Sequence, residues 1–158
     1  MAEVVGIVAS SISIGELVAQ IGSGVLRLKG YWGAVKEAPE RIFDLLEEID
    51  DLNSILADVE DDQLRNPISS LLLDNTSESK CLLHCQRAAD RLKELAAALG
   101  TDLNASSQLN KKWAATKVIL KKDKIERYIR KLERSARLLV LAHQCYSRYD
   151  CMLSILSI

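Results

Sequence analysis

The sequence predicts an all-α fold, a single four- to five-helix bundle led by a long apolar N-terminal helix, on three observations. Aromatic residues make up only 4% of the chain while Leu, Ala, Ile, Lys and Glu abound. That mixture disfavours strands, which draw on β-branched and aromatic side chains. Two prolines, Pro39 and Pro67, leave long stretches without a helix breaker. Apolar residues recur at helical spacing, and no run alternates for long enough to compete as a strand. At 158 residues, 48% hydrophobic and 27% charged, the chain suits one domain with a sizeable core. The bundle is expected over residues 1–150, with 151–158 as an apolar tail that either packs across the bundle or extends the last helix.

The first helix is expected from Ala2 to Lys29, ending near Gly30 and Gly33. Read in heptads, its inward seam is Val4, Ile7, Ser11, Ile14, Val18, Ile21, Val25 and Leu28. The opposite face carries Gly6, Ala9, Ser13, Glu16, Gln20 and Ser23, where an ordinary surface helix would carry lysines and glutamates. From Val4 to Leu26 the sole charge is Glu16. That length would span a bilayer, although serines, glycines and Gln20 dilute its hydrophobicity. No positive n-region precedes it, so a signal peptide is not expected.

Pro39 and Glu40 suit the opening turn of a second helix, whose stripe is Ile42, Leu45, Leu46, Ile49, Leu52, Ile55, Leu56 and Val59. Asp61 and Asp62 are poor C-terminal residues, so the helix should fray there, and Pro67 can start a short segment through Leu73. Asn75 followed by Glu78 resembles a capping box for a third helix, with Gly100 as its C-cap and a polar loop from Thr101 to Ser107. A basic helix is expected over Gln108 to Leu120. Asp123 and Glu126 then mark a kink or restart leading to about Arg148, with Ile125, Ile129, Leu132, Ala136, Leu139 and either His143 or Cys145 inward.

The net charge of −1 conceals a strong asymmetry. Glu37 to Asp62 holds eleven acids against one base, Arg41, and Lys111 to Arg137 holds eleven bases against three acids. Two oppositely charged helices lying side by side account for this. A basic surface that meets anionic lipid or nucleic acid accounts for it too. Trp113 and Tyr128 interleave the basic stretch, but no base-reading motif is present, so nucleic acid is not an expected partner.

Catalytic constellations are missing from the sequence: it has no GxxxxGK[ST], GxGxxG, GxSxG or HExxH. No enzyme activity, cofactor or small-molecule substrate is therefore expected. Cys81, Cys85, Cys145 and Cys151 match zinc-ligand spacing poorly and read as buried reduced thiols, with no metal site. His84 and His143 read as satisfied structural residues.

The first helix remains. Gly6, Gly15, Gly22 and Gly24 each cost about 1 kcal/mol relative to alanine inside a helix. The rows Ala9/Ser13, Ser11/Gly15, Gly15/Ala19 and Ala19/Ser23 let helices approach closely, as in membranes. Tight packing at the centre of a soluble bundle wants the same residues. In the sharper reading Val4, Val5, Ile7, Val8, Ile12, Ile14, Glu16, Leu17, Val18, Ile21 and Val25 form a membrane-inserting helix, and Glu16 faces a lumen as a lone mid-helix carboxylate. Lys111, Lys112, Lys117, Lys121, Lys122 and Lys124 are the expected contacts to anionic lipid.

The opening Met-Ala-Glu-Val-Val-Gly-Ile-Val-Ala-Ser-Ser-Ile-Ser-Ile, Leu28-Lys-Gly-Tyr-Trp32 and Val35-Lys-Glu-Ala-Pro-Glu40 resemble the HeLo-like N-terminal domains of fungal STAND (NLR-type) proteins. Lys112-Trp113 and Ile129-Arg-Lys-Leu-Glu-Arg134 fit the same pattern, and the resemblance runs to about Tyr146. It implies a four- to five-helix bundle similar to the HeLo domain, to the helical domain of the mixed-lineage kinase-like pseudokinase and to plant resistance coiled-coil domains. It further implies cell-death or incompatibility signalling by oligomerisation and membrane permeabilisation through the first helix, with Glu16 in the place of an acidic residue used by some relatives. The partners it implies are anionic membrane lipids and a second copy or a related helical bundle or STAND protein. The location it implies is cytoplasmic, with recruitment to a membrane on activation. A helical protein–protein adaptor without a membrane step is the alternative.

Overall fold

Ser13, in an extended conformation, accepts a hydrogen bond at 3.2 Å from the Glu16 amide and so caps helix α1 (Ile14–Gly33). Ser13-Ile-Gly-Glu16 has the residue types of a capping box. This corrects the expectation of one helix from Ala2 to Lys29: Ile12 and Ser13 are outside the helix, and the helix carries on past Lys29 through Gly30 to Gly33. In the computed structural model the described residues are 12–35, 38–65, 75–109 and 122–156. Four helices and no strand occur among them: α1, α2 (Glu40–Arg65), α3 (Asn75–Leu109) and α4 (Lys122–Leu156).

Helix α2 starts beside Pro39, whose carbonyl accepts from the Ile42 amide at 2.9 Å. It buries Ile42, Leu46, Ile49, Asn53 and Leu56, flanked by the half-buried Leu45, Leu52 and Val59. The expected fraying at Asp61 and Asp62 does not occur. The helix reaches Arg65, which lies 4.0 Å from Asp61 one turn back and sets a positive charge at the negative end of the helix. The segment expected from Pro67 to Leu73 lies outside the described residues.

Helix α3 starts at Asn75 as expected, but Gly100 does not end it. The expected loop from Thr101 is helix as far as Leu109, and the Thr101 hydroxyl donates back to the Ala97 carbonyl at 2.9 Å. Gly100 is buried against Tyr31 of α1, whose hydroxyl oxygen would sit 3.2 Å from an added Cβ. The glycine admits a neighbour and leaves the helix intact. Helix α4 begins one residue before Asp123 and runs through the expected tail to Leu156. The basic helix expected over Gln108 to Leu120 is described only up to Leu109, where it continues α3.

Each helix packs on two others: α1 and α4 each touch α2 and α3, so the pairs α1/α4 and α2/α3 face across the diagonals. Facing residues run in opposite order on α1 and α2, from Lys29 with Asp50 to Gly15 with Glu60, so this pair is antiparallel. Helices α1 and α3 are parallel, Gly24 meeting Leu92 and Tyr31 meeting Gly100. The core holds Leu17, Ile21, Val25, Leu28 and Trp32 of α1 together with Leu92, Leu95 and Leu99 of α3 and Leu132 and Leu139 of α4. Trp32 reaches across the diagonal to meet Tyr128 edge-on, ring centroids 5.8 Å apart.

The glycines of α1 differ in what surrounds them. Gly24 packs so that a Cβ would lie 3.2 Å from Leu92 Cβ, whereas Gly30 has nothing within 4 Å. Gly30→Ala should therefore raise the unfolding free energy by about 0.5–1 kcal/mol, by helix propensity alone. Gly24→Ala should return less than that or destabilise, and urea unfolding of the two variants checks the contrast. Trp32→Ala should cost about 3–5 kcal/mol in the same assay.

Candidate functional site

Of the expected membrane-inserting residues, Ile14, Leu17, Ile21 and Val25 are buried in the bundle core, and Ile12 and Val18 are half-buried. Val4, Val5, Ile7 and Val8 lie outside the described residues. Of the described residues of the expected inward stripe, Ile14, Ile21, Val25 and Leu28 are buried and Val18 is half-buried, joined by Leu17, Gly24 and Trp32, which the heptad reading left out; Val4, Ile7 and Ser11 lie outside the described residues. Glu16 is exposed, as expected, but it is not a mid-helix carboxylate. It is the third residue of α1, in the first turn, where a negative charge complements the unpaired amides and the helix dipole.

On its outer side α1 exposes Glu16, Ala19, Gln20, Ser23, Leu26, Arg27, Gly30 and Gly33. Two charges in eight positions is sparse for a surface helix, and Leu26 is 71% exposed. Elsewhere α1 is tied to α2 by polar contacts. Asn53 donates to the Val18 carbonyl at 3.1 Å beside Gly22, and Lys29 pairs with Asp50 at 3.0 Å. The Glu60 carboxylate lies over Gly15, in the space a side chain there would fill. Gly15, Gly22 and Gly24 are therefore contact points inside the bundle, and Gly6 lies outside the described residues.

Lys122 and Lys124 are exposed on the first turn of α4, while Lys111, Lys112, Lys117 and Lys121 lie outside the described residues. Lys124 already has a protein partner: its ammonium is 3.0 Å from the Asp102 carboxylate, which also accepts from the Tyr128 hydroxyl at 2.9 Å. Burial alone would raise the Asp102 carboxyl, but the hydrogen bonds from Lys124 and Tyr128 and the charge of Lys124 outweigh it and hold the group below its ordinary value. Tyr128 responds in the opposite sense, pushed up to about 12 by burial and by its hydrogen bond to, and the charge of, Asp102. Trp32, Tyr128, Asp102 and Lys124 thus form a polar-tipped clasp joining α1, α3 and α4 at one end of the bundle. Sequence reasoning assigned Asp102 to a loop and missed it, because its partners Lys124 and Tyr128 come from another helix.

The acidic and basic helices do lie side by side, since α2 packs along α4. The ion pair between them joins Arg41, the one base of the acidic stretch, to Glu133, one of the few acids of the basic stretch. A groove of about 480 Å³ runs along this seam, lined by Leu45, Glu48, Glu133, Arg137, Leu141 and Gln144 among others. It brings no nucleophile together with a base. Among the described residues no three His, Cys, Asp or Glu side chains are placed to hold a metal ion, and no helix is long and apolar enough to cross a membrane. The histidines were expected to be satisfied, yet His84 Nδ1 and His143 Nδ1 are buried with no hydrogen-bond partner among the described residues. Compared with protein-family models, curated proteins and solved structures, the chain has no match.

The clasp makes stability depend on pH at both extremes. Asp102 lies below its ordinary 3.8 when folded, so its contribution is present above that pH and is lost as pH falls through the lower folded value. Tyr128 lies above its ordinary 10.0, so its contribution is full below pH 10 and is lost as pH rises through about 12. Absorbance titration of tyrosinate should show a component near pH 12 that Tyr128→Phe removes. Asp102→Asn should flatten the acid limb of stability below about pH 4.

Proposed function

We propose that this chain is a helical signalling module of cell death or incompatibility, acting by oligomerisation and by association with a membrane through its N-terminal segment. The observation that carries the proposal is the character of that segment. The outer face of α1 is small and nearly uncharged with Leu26 exposed, and the eleven residues before Ile12 contain a single charge, Glu3. A long apolar N-terminal helix belongs to this reading, formed when the residues ahead of Ser13 continue α1 in lipid. Helices that associate in membranes use small, weakly polar rows of this kind. The exposed base Lys122, with the lysines that precede it in sequence, supplies attraction to anionic headgroups, worth about 1 kcal/mol each near such a surface, and Lys124 adds to it only when it leaves Asp102. The module acts from the cytoplasm, is recruited to the membrane on activation, and works with a second copy or a related helical bundle. It carries out no catalysis and uses no cofactor.

The alternative, an adaptor that recruits another helical bundle with no membrane step, is favoured by the groove between α2 and α4, where Leu141 is 44% exposed. Flotation separates the two. The full chain should float with vesicles rich in anionic lipid and not with neutral ones. A chain lacking residues 1–11 keeps the Ser13 cap and the whole α1 seam, and should remain in the dense fraction with unchanged helical circular dichroism. Flotation undiminished by that deletion, or none by the full chain, would overturn the membrane reading. A deletion reaching residue 25 is uninformative, because it removes Leu17, Ile21 and Val25 from the core.

A further inference from the structure

The face formed by α2 and α4 carries two rows of exposed charge of opposite sign. On α2, Asp44, Glu48, Asp51, Asp58 and Asp62 recur every three or four residues along one side, interrupted by Ile55 and preceded by Arg41. On α4, Arg130, Arg134, Arg137 and Arg148 share one side in the same way with Leu141 and Gln144. Of the residues in these rows only Arg41 is in an ion pair among the described residues. Its partner is Glu133, so the base of the acidic row is neutralised within the chain by an acid beside the basic one. The two helices run in the same direction. Arg41 meets Glu133, and further along both helices Leu45 and Glu48 share the groove with Val140, Leu141 and Gln144. A residue of α2 is thus level with the α4 residue 92 positions on, as Arg41 is with Glu133.

We propose that this face binds a second copy of the chain, about a two-fold axis that lies over the α2/α4 seam and runs parallel to the helices. Such an axis lays α2 of each copy on α4 of the other, in the same direction and at the same height. Asp44 and Glu48 of one copy then come level with Arg134 and Arg137 of the other, and Asp58 with Arg148. Each of these contacts occurs twice. The exposed Ile55 and Leu141 fall in height between the two charged clusters and lose water together. A two-fold axis in the same face but at right angles to the helices would set α2 on α2 and α4 on α4. Acid would then oppose acid and base oppose base, so the charge pattern selects the first axis. The face is about 30 Å long and about 20 Å wide, two helices side by side, so pairing it buries roughly 1,200 Å² in all, the lower edge of a specific interface. With so little apolar surface the dimer is weak and sensitive to salt. Helix α1 does not border this face, so its outer side and the chain ahead of Ser13 stay clear. The inference names the surface for the second-copy step of the reading above and rests on that reading for its role, while the dimer itself needs no membrane.

The test follows the full chain by sedimentation velocity over a range of concentrations, without lipid and with a reductant that keeps the exposed Cys151 from crosslinking chains. The expected result is monomer and dimer in exchange, with an association constant that falls about tenfold between ~0.05 and ~0.5 M salt. Asp44→Lys with Glu48→Lys turns the α2 row basic, and Arg134→Glu with Arg137→Glu turns the α4 row acidic. Each double variant alone should associate about tenfold more weakly than the unaltered chain. Mixed in equal amounts, the two should form a one-to-one heterodimer, because every facing pair is again opposite in sign. All four substitutions in one chain should restore the homodimer for the same reason. Circular dichroism shows whether each variant is folded, and the salt series on the unaltered chain stands without them. A chain still monomeric at ~0.5 mM in low salt, a ladder of species larger than the dimer, or folded variants that do not recover one another on mixing would each overturn the interface. Failure to float with vesicles, by a chain that dimerises as expected, counts against the membrane reading alone.

Discussion

Enclosure of one helix by two others is the constraint on which this bundle rests. Helix α1 has to present Leu17, Ile21, Val25, Leu28 and Trp32 to a core while touching α2 on one flank and α3 on the other. Three of its glycines lie against those flanks, Gly15 and Gly22 towards α2 and Gly24 towards α3, while Gly30 and Gly33 face open space. A Cβ at Gly24 would crowd the Cβ of Leu92, an atom fixed close to its backbone, whereas the Glu60 carboxylate over Gly15 is the far end of a flexible side chain. The α3 flank is thus the stiffer one. The same pairing explains Gly100, where α3 gives way to Tyr31 of α1. Close approach is needed in both directions along this parallel pair, and each helix contributes glycine where the other is bulky.

Charge plays a smaller part than the sequence asymmetry suggests. The acidic and basic helices are neighbours, yet the ion pair that joins them has Arg41 on the acidic helix and Glu133 on the basic one. Exposed pairs of this kind contribute little, with a median of about 0–1 kcal/mol. The bulk of each helix's charge is therefore free to face solvent or a partner. Asp44, Glu47 and Asp51 on α2 and Arg127, Arg130, Arg134 and Arg137 on α4 are exposed. The molecule consequently carries surfaces of opposite sign despite a net charge of −1. At low ionic strength such surfaces would steer a partner of opposite charge towards them.

The all-helical architecture was legible because its signals are local and repeated: few aromatics, few prolines, and apolar stripes such as Ile42, Leu46, Ile49 and Leu56 that the structure buries. The boundaries that failed did so where a residue has two physical uses. Gly100 is a good helix terminator and also the residue that best admits a neighbour's ring, and only the position of Tyr31 decides between these. Ser13 and Glu16 form a legible capping pair, but an apolar period that carries on upstream through Ile7 and Val4 hid it. Asp102 looked like a loop residue because its partners, Lys124 and Tyr128, come from another helix. The cysteines are separated in the same way: Cys81 and Cys85 of α3 and Cys145 of α4 share one core only once the two helices pack.

Enclosure of α1 also sets the terms for any membrane activity. Each fully buried Val, Leu or Ile is worth about 1.5–3 kcal/mol, so withdrawing Leu17, Ile21, Val25 and Leu28, with Trp32 besides, costs about as much as a whole domain's stability. Spontaneous release of α1 from the intact bundle is then a global unfolding event in energetic terms. A membrane-active state has two ways around that cost. In one, lipid and neighbouring copies rebury the same seam at the moment it leaves, so that α1 is never exposed to water. In the other, α1 stays in place and only the chain ahead of the Ser13 cap engages the bilayer, which leaves the core untouched. The outer face of α1 serves either route, because its small residues suit a second copy and its two charges, Glu16 and Arg27, are three turns apart. The second route is the cheaper by the whole of the α1 seam. It therefore sets the baseline against which any rearrangement of the bundle has to be measured.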